Sequence, residues 1–169
     1  MGVRIAMRTA IVLSIMAVAL VGCGSIEVPD TQRVTEPSSA LSPVQVVEAQ
    51  LDALRRNRDD DEGIAILYNF FSPTNRERTG PLERFRRRFD NSVYAPLLNH
   101  REFEVYAPTV VVDLAMVPVR VIASDGEQID YVFVLTRQQD EPYESMWMTD
   151  AVQMHSPDDQ DSEASAEES

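Results

Sequence analysis

The sequence predicts an α+β domain, with helices in its first half packed on a curved antiparallel sheet made by its second half. Three observations carry this. Apolar residues recur at helical spacing between Val44 and Phe89, and the period changes to two after Arg101. Asp125-Gly126 then separates two alternating apolar runs, which is a hairpin signal. Helices first and strands afterwards is the order that segregates helices onto one face of an antiparallel sheet.

Each element has its own local cause. Ser42-Pro43-Val44-Gln45 places Ser at an N-cap, Pro at the first helical position and Gln where it can reach back to the cap. Behind it Val44, Val47, Leu51 and Leu54 share one helix face, which should run to about Arg58. The cluster Asp59-Asp60-Asp61-Glu62-Gly63 should break that helix; a second follows with Ile64, Leu67, Tyr68 and Phe71 on one side. Ser72-Pro73 opens a short third helix that stops at Gly80, and Pro81 opens a fourth with Leu82, Phe85 and Phe89 turned inward. On that last helix Arg84, Arg86, Arg87 and Arg88 fan over the wet face. There Glu83 is expected to pair with Arg87, or the acids 59–62 to neutralise the patch; anionic lipid headgroups are the functional alternative. In the sheet half, Phe103 and Val105 alternate with Glu102 and Glu104, and Thr109–Ala123 is one long valine-rich run. Ile129, Tyr131, Phe133 and Leu135 alternate again, and a last strand covers about Met146–Met154. Pro118 within the valine-rich run requires a bulge, a bend or an edge. The folded domain should span 42–155.

The flanks differ in kind. Arg4 and Arg8 precede an apolar run that ends in Leu20-Val21-Gly22-Cys23, and Cys23 is the single cysteine of 169 residues. This resembles the lipobox of a bacterial lipoprotein. Residues 1–22 would be a signal peptide, too short in its apolar run for the roughly 20 residues that span a bilayer. Cys23 would carry a thioether diacylglycerol and an amine-linked acyl chain of the palmitate class, enough chains for stable anchoring. The implied location is the cell envelope, on the membrane through the N-terminal lipid. Gly24, where an inner-membrane retention signal would place Asp, favours the outer membrane of a two-membrane cell. Residues 23–41 then form the lipidated cysteine and a Pro-, Ser- and acid-rich tether about 20–25 Å in mean reach, and 156–169 an acidic tail expected to be disordered. That tail carries six acids and no base, within a net charge of −13; residues 41–155 alone hold 19 acids and 12 Arg. Such a domain repels nucleic-acid backbones, so no nucleic-acid partner is expected.

Four stretches carry a second resemblance. They are Asp61–Ala65 leading to Phe71–Arg76, Thr79–Phe85, Tyr94–His100 and Trp147–Val152. In order and spacing they are similar to an uncharacterised bacterial and plastid family, domain of unknown function 4864. The order of elements resembles the nuclear-transport-factor-2-like superfamily, whose cone-shaped α+β domains wrap a curved sheet around helices. The resemblance implies a fold and no established reaction.

Chemistry-bearing motifs are sparse. His100 and His155 have no partner at metal-ligand spacing, so no metal is expected. The chain has no phosphate loop and no nucleophile elbow, and Cys23 is consumed by lipid, so neither cofactor nor catalytic residue is assigned. The cone resemblance makes Asp113 and Asp150 the carboxylates to consider as acid or base, against the simpler reading that both face water. Tyr68, Tyr94, Tyr131, Phe133 and Trp147, with Asp150, are the residues able to line a ligand pocket on the concave face. The expected function is a non-catalytic, lipid-anchored binding or interaction module for a small apolar ligand or an envelope protein. Two alternatives stand beside it: an isomerase- or dehydratase-like enzyme with a carboxylate in the cone, and an accessory subunit that homodimerises through the sheet. An open cavity holding a carboxylate would point to the first; a filled interior under an apolar outer sheet face would point to the second.

Overall fold

The structure, a computed structural model, describes residues 34–90 and 93–155. The signal segment 1–22, Cys23, the tether up to Arg33 and the tail 156–169 lie outside them. The described chain is α+β: four short helices precede five antiparallel strands.

Helix α1 (Pro43–Arg55) begins as its sequence dictates. Ser42 Oγ accepts from the Gln45 amide at 3.3 Å, and Gln45 Oε1 accepts from the Ser42 amide at 2.9 Å. This reciprocal pair satisfies two N–H groups that the first turn leaves without partners. Its buried stripe is wider than the one foreseen, because Val46 and Gln50 join Val47, Leu51 and Leu54. The helix also ends three residues short of Arg58. Asn57 supplies the reason, since its Oδ1 accepts from the Gly63 amide at 2.9 Å and so caps the start of helix α2 (Glu62–Asn69). Glu62 and Gly63 are therefore helical and not part of the break. A Cβ on Gly63 would lie 2.3 Å from the Ala53 carbonyl oxygen, so only glycine permits this approach of α2 to α1.

Helix α3 (Pro73–Thr79) is capped by Ser72, whose Oγ accepts from the Asn75 amide at 3.1 Å. Helix α4 (Leu82–Arg86) tightens into a 3-10 turn over Arg87–Asp90, which still delivers Phe85 and Phe89 to the core. Arg86, not Arg87, pairs with Glu83 (2.7 Å), and it also reaches Asp61 at 3.7 Å. Three residues on a helix bring those two side chains to the same side, and the acidic turn before α2 neutralises one arginine of the fan.

The strands are β1 (Glu102–Val105), β2 (Thr109–Val111), β3 (Leu114–Ile122), β4 (Gln128–Arg137) and β5 (Trp147–His155). Their order is β1-β3-β4-β5, with β2 beside β1 on the same flank of β3. The valine-rich run is thus two strands and not one. It folds back at Val112-Asp113, where Val112 adopts φ +54° and is 86% exposed. A β-branched residue in the left-handed region is uncommon, and nothing in its residue type signals a turn. Pro118 sits opposite the break between β1 and β2. Its carbonyl accepts from the Tyr106 amide, so its missing N–H points to the same gap, where no ladder needs it.

Helices cover one face of the sheet. Val117, Val119, Tyr131, Phe133 and Leu135 meet Leu51, Leu54, Leu67 and Phe70 in a single core. A ring cluster extends it, with Phe85 5.8, 4.9, 5.4 and 5.5 Å from Tyr68, Phe71, Phe89 and Tyr94. Such offset and edge-to-face contacts add to the area they bury. The link between α2 and α3 joins the sheet directly, since Phe71 bridges Thr149, the Ser72 amide donates to the Thr149 carbonyl, and the Thr149 amide donates to Phe70. Beneath that bridge Gln50 and Thr149, both fully buried, exchange side-chain hydrogen bonds at 2.9 and 3.1 Å. Asn75 Nδ2 donates to the Thr149 carbonyl at 3.0 Å. The segment 35–41 rests on the domain: Leu41 packs on the core and the Thr35 carbonyl accepts from Asn69.

Candidate functional site

The aromatic residues chosen from the sequence are divided by the fold. Tyr131 and Phe133 share the helix-covered face, and their side chains retain almost no accessible surface. The Tyr131 hydroxyl donates to the Val93 carbonyl at 3.0 Å, and burial pushes its pKa well up. Tyr94 is half-buried in the ring cluster, with burial again raising its pKa against the pull of Arg88. Tyr68 donates to the Gly80 carbonyl at 3.0 Å. Trp147 opens β5 opposite Arg137 and packs on the core edge. These rings act as packing, each polar tip matched to a backbone carbonyl where one is in reach.

Neither carboxylate sits among them. Asp150 is the extra residue of a bulge in β5, between Thr149 opposite Leu135 and Ala151 opposite Val134. A bulge re-aims a side chain, and here it delivers Asp150 to the Ser72 hydroxyl at the start of α3. Asp113 lies in the β2–β3 turn, accepting from Gln139 Nε2 at 3.1 Å. His100 is buried against Phe103 and donates through Nδ1 to the Leu97 carbonyl at 2.7 Å, which leaves Nε2 buried without a partner. Burial lowers its pKa. His155 is exposed at the end of β5. Among the described residues no group of three His, Cys, Asp or Glu is placed to hold a metal ion. No helix among them is long and apolar enough to cross a membrane.

No described helix covers the outer face of the sheet. Register aligns Glu104, Arg120, Asp130 and His155 as one row across four strands. Arg120 donates to both Asp130 oxygens, at 2.8 and 3.0 Å, and stacks over Tyr106 at 5.7 Å. The bidentate bond raises the arginine pKa and lowers that of the aspartate. Tyr106 donates to Glu104 at 2.9 Å, a bond that raises the tyrosine pKa. The rows beyond are largely apolar: Pro118 with Val132, Met116 with Val134 and Ala151, and Leu114 beside Val111, with Gln153, Thr109 and Thr136 at their ends. Met116 is 41% exposed and Val111 58%. A shallow apolar depression of about 260 Å³ lies between the charged row and the first apolar row, walled by Tyr106, Pro118 and Val132.

A second depression was not legible in the sequence. It measures about 290 Å³ and is walled by Glu36 and Pro37, by Asn69 and Arg76, and by Tyr143 and Met146 of the β4–β5 loop. Ser72-Pro73 marked the helix that carries Arg76, but no pattern in the chain pointed to its neighbours.

The features so far define a class: an α+β domain whose helices fill one face of an antiparallel sheet, with no described helix on the other. Residues 38–162 match the family described as a domain of unknown function (DUF4864). The chain belongs to that family. No curated protein and no solved structure matches it.

Proposed function

We propose that this protein is a non-catalytic interaction module, lipid-anchored through Cys23 in the cell envelope, that works as a homodimer through the outer face of its sheet. The observation that carries the reading is the contrast between the two faces. Tyr131 and Phe133 are enclosed by helices, whereas Leu114, Met116 and Val111 stand in water. Bare apolar sheet surface of this kind is a mark of an association site.

A second copy is the partner favoured by the charged row. Glu104, Arg120 and Asp130 alternate in sign, and a two-fold axis through such a face brings Arg120 of each copy toward an acid of the other. The long-range repulsion of two acidic chains is screened beyond about 8 Å at physiological salt. The same reading makes the fold a cone of the nuclear-transport-factor-2-like kind. The break between β1 and β2 opposite Pro118 and the bulge at Asp150 would supply its curvature.

Sedimentation of residues 23–169 tests the dimer. The expected result is a dimer that Met116→Asp and Val134→Asp each convert to a folded monomer. A wild-type monomer at every concentration overturns it. For the anchor, Cys23→Ser should remove the protein from the detergent phase; continued partitioning would sink the lipid assignment.

A further inference from the structure

The cavity between residues 36–37, α3 and the β4–β5 loop contains a cation, Arg76, with which no described acid forms an ion pair, although the chain carries 28 acids. Its guanidinium lies 5.5 Å from the centre of the Tyr68 ring and 5.5 Å from that of Tyr143. One Nη donates to the Asn69 carbonyl at 2.7 Å and the other to the Tyr143 hydroxyl at 3.1 Å. An arginine has five N–H donors, so each Nη keeps a second N–H beyond these bonds, while Nε is buried without a partner. A guanidinium clamped between two rings with donors to spare is pre-organised for a planar carboxylate, because little rotamer entropy remains to be lost on binding.

The opposite charge in the same cavity comes from Glu36. It belongs to the segment that precedes α1, which the Asn69–Thr35 hydrogen bond ties to the end of α2. Pro37, Pro142 and Met146 supply apolar wall in the same cavity. From this arrangement we infer a binding site for a small zwitterion of the free α-amino-acid class. Its carboxylate pairs with Arg76, its ammonium with Glu36, and an apolar side chain lies against the prolines and Met146. A bare dicarboxylate would be repelled by Glu36 and a bare amine by Arg76. The site lies apart from the outer face of the sheet and does not depend on self-association.

Calorimetric titration of residues 23–169 with L-methionine, L-methioninamide and N-acetyl-L-methionine at one ionic strength tests it. Methionine should bind saturably. The amide lacks the carboxylate and the acetyl compound lacks the ammonium, so each should bind roughly tenfold or more weakly, as the loss of one charge-assisted hydrogen bond implies. Arg76→Gln should abolish methionine binding and Arg76→Lys should retain part of it. Because Arg76 also ties two loops, Glu36→Gln provides a variant that leaves those ties intact. It should weaken methionine while leaving N-acetylmethionine no weaker, since the carboxamide no longer repels that anion. Absence of saturable binding by methionine, equal binding of all three compounds, or indifference to Glu36→Gln would each overturn the assignment.

Discussion

Phe133 and Met116 lie on adjacent strands of one sheet and live in different worlds. Phe133 faces the helices and is fully enclosed, while Met116 faces outward at 41% exposure. Both faces are rich in apolar residues, so hydrophobicity alone does not say which is the core. The helices decide it: α1 and α2 each bury one stripe, and a sheet offers them one face. What remains outside is apolar surface interrupted by a row of paired charges.

The comparison can be broken at several depths. Phe133→Ala should cost about 3–5 kcal/mol in urea unfolding, as for a ring removed from an enclosed site; a loss near zero would mean that the two faces are not distinct. Thr149→Val, which leaves the buried Gln50 Oε1 without its donor while Nε2 keeps the Val46 carbonyl, should cost about 1–3 kcal/mol. Adding Gln50→Leu should recover part of it, since removing both partners leaves no orphan. An additive double variant would show that the pair is not coupled.

His100 probes the rim of the filled side. Burial lowers its pKa in the folded state, chiefly by penalising the charged ring. Its neutral form is thus favoured by folding, and that contribution is complete above the unfolded value of about 6.5. It is lost as pH falls below that value toward the folded pKa, because the unfolded chain takes up a proton first. The urea midpoint of the wild type should fall more between pH 7.5 and pH 5 than that of His100→Gln; parallel profiles would refute this. The smallest effect belongs outside. Met116→Ser should change monomer stability by no more than about 0.5 kcal/mol, measured at concentrations where association is absent.

Much of this contrast was readable in the chain. Alternation placed Tyr131 and Phe133 on one face, and Ser42-Pro43 and Ser72-Pro73 marked helix starts that the structure retains. The β2–β3 turn was hidden, because Val112 turns by tertiary constraint in a residue type that avoids such backbone. Asn57 as a cap across a break was hidden because its partner lies beyond the turn that ends α1, and Asp150 as a bulge residue because its partner Ser72 lies far along the chain. The Arg76 cavity joins three separate segments, and no local period reports such a meeting.

The bulge at Asp150 has one more outcome. At Thr149 the outer edge of β5 is occupied by the α2–α3 link; from Ala151 to His155 no described strand pairs with it. A free edge is a template for adding strands end over end without limit, the route to fibres. The next fourteen residues contain six acids and no base. Each molecule that tried to extend the sheet at this edge would bring its own six negative charges alongside the first. Truncation after His155 would remove that guard, and the shortened chain would be the one to scatter light on storage.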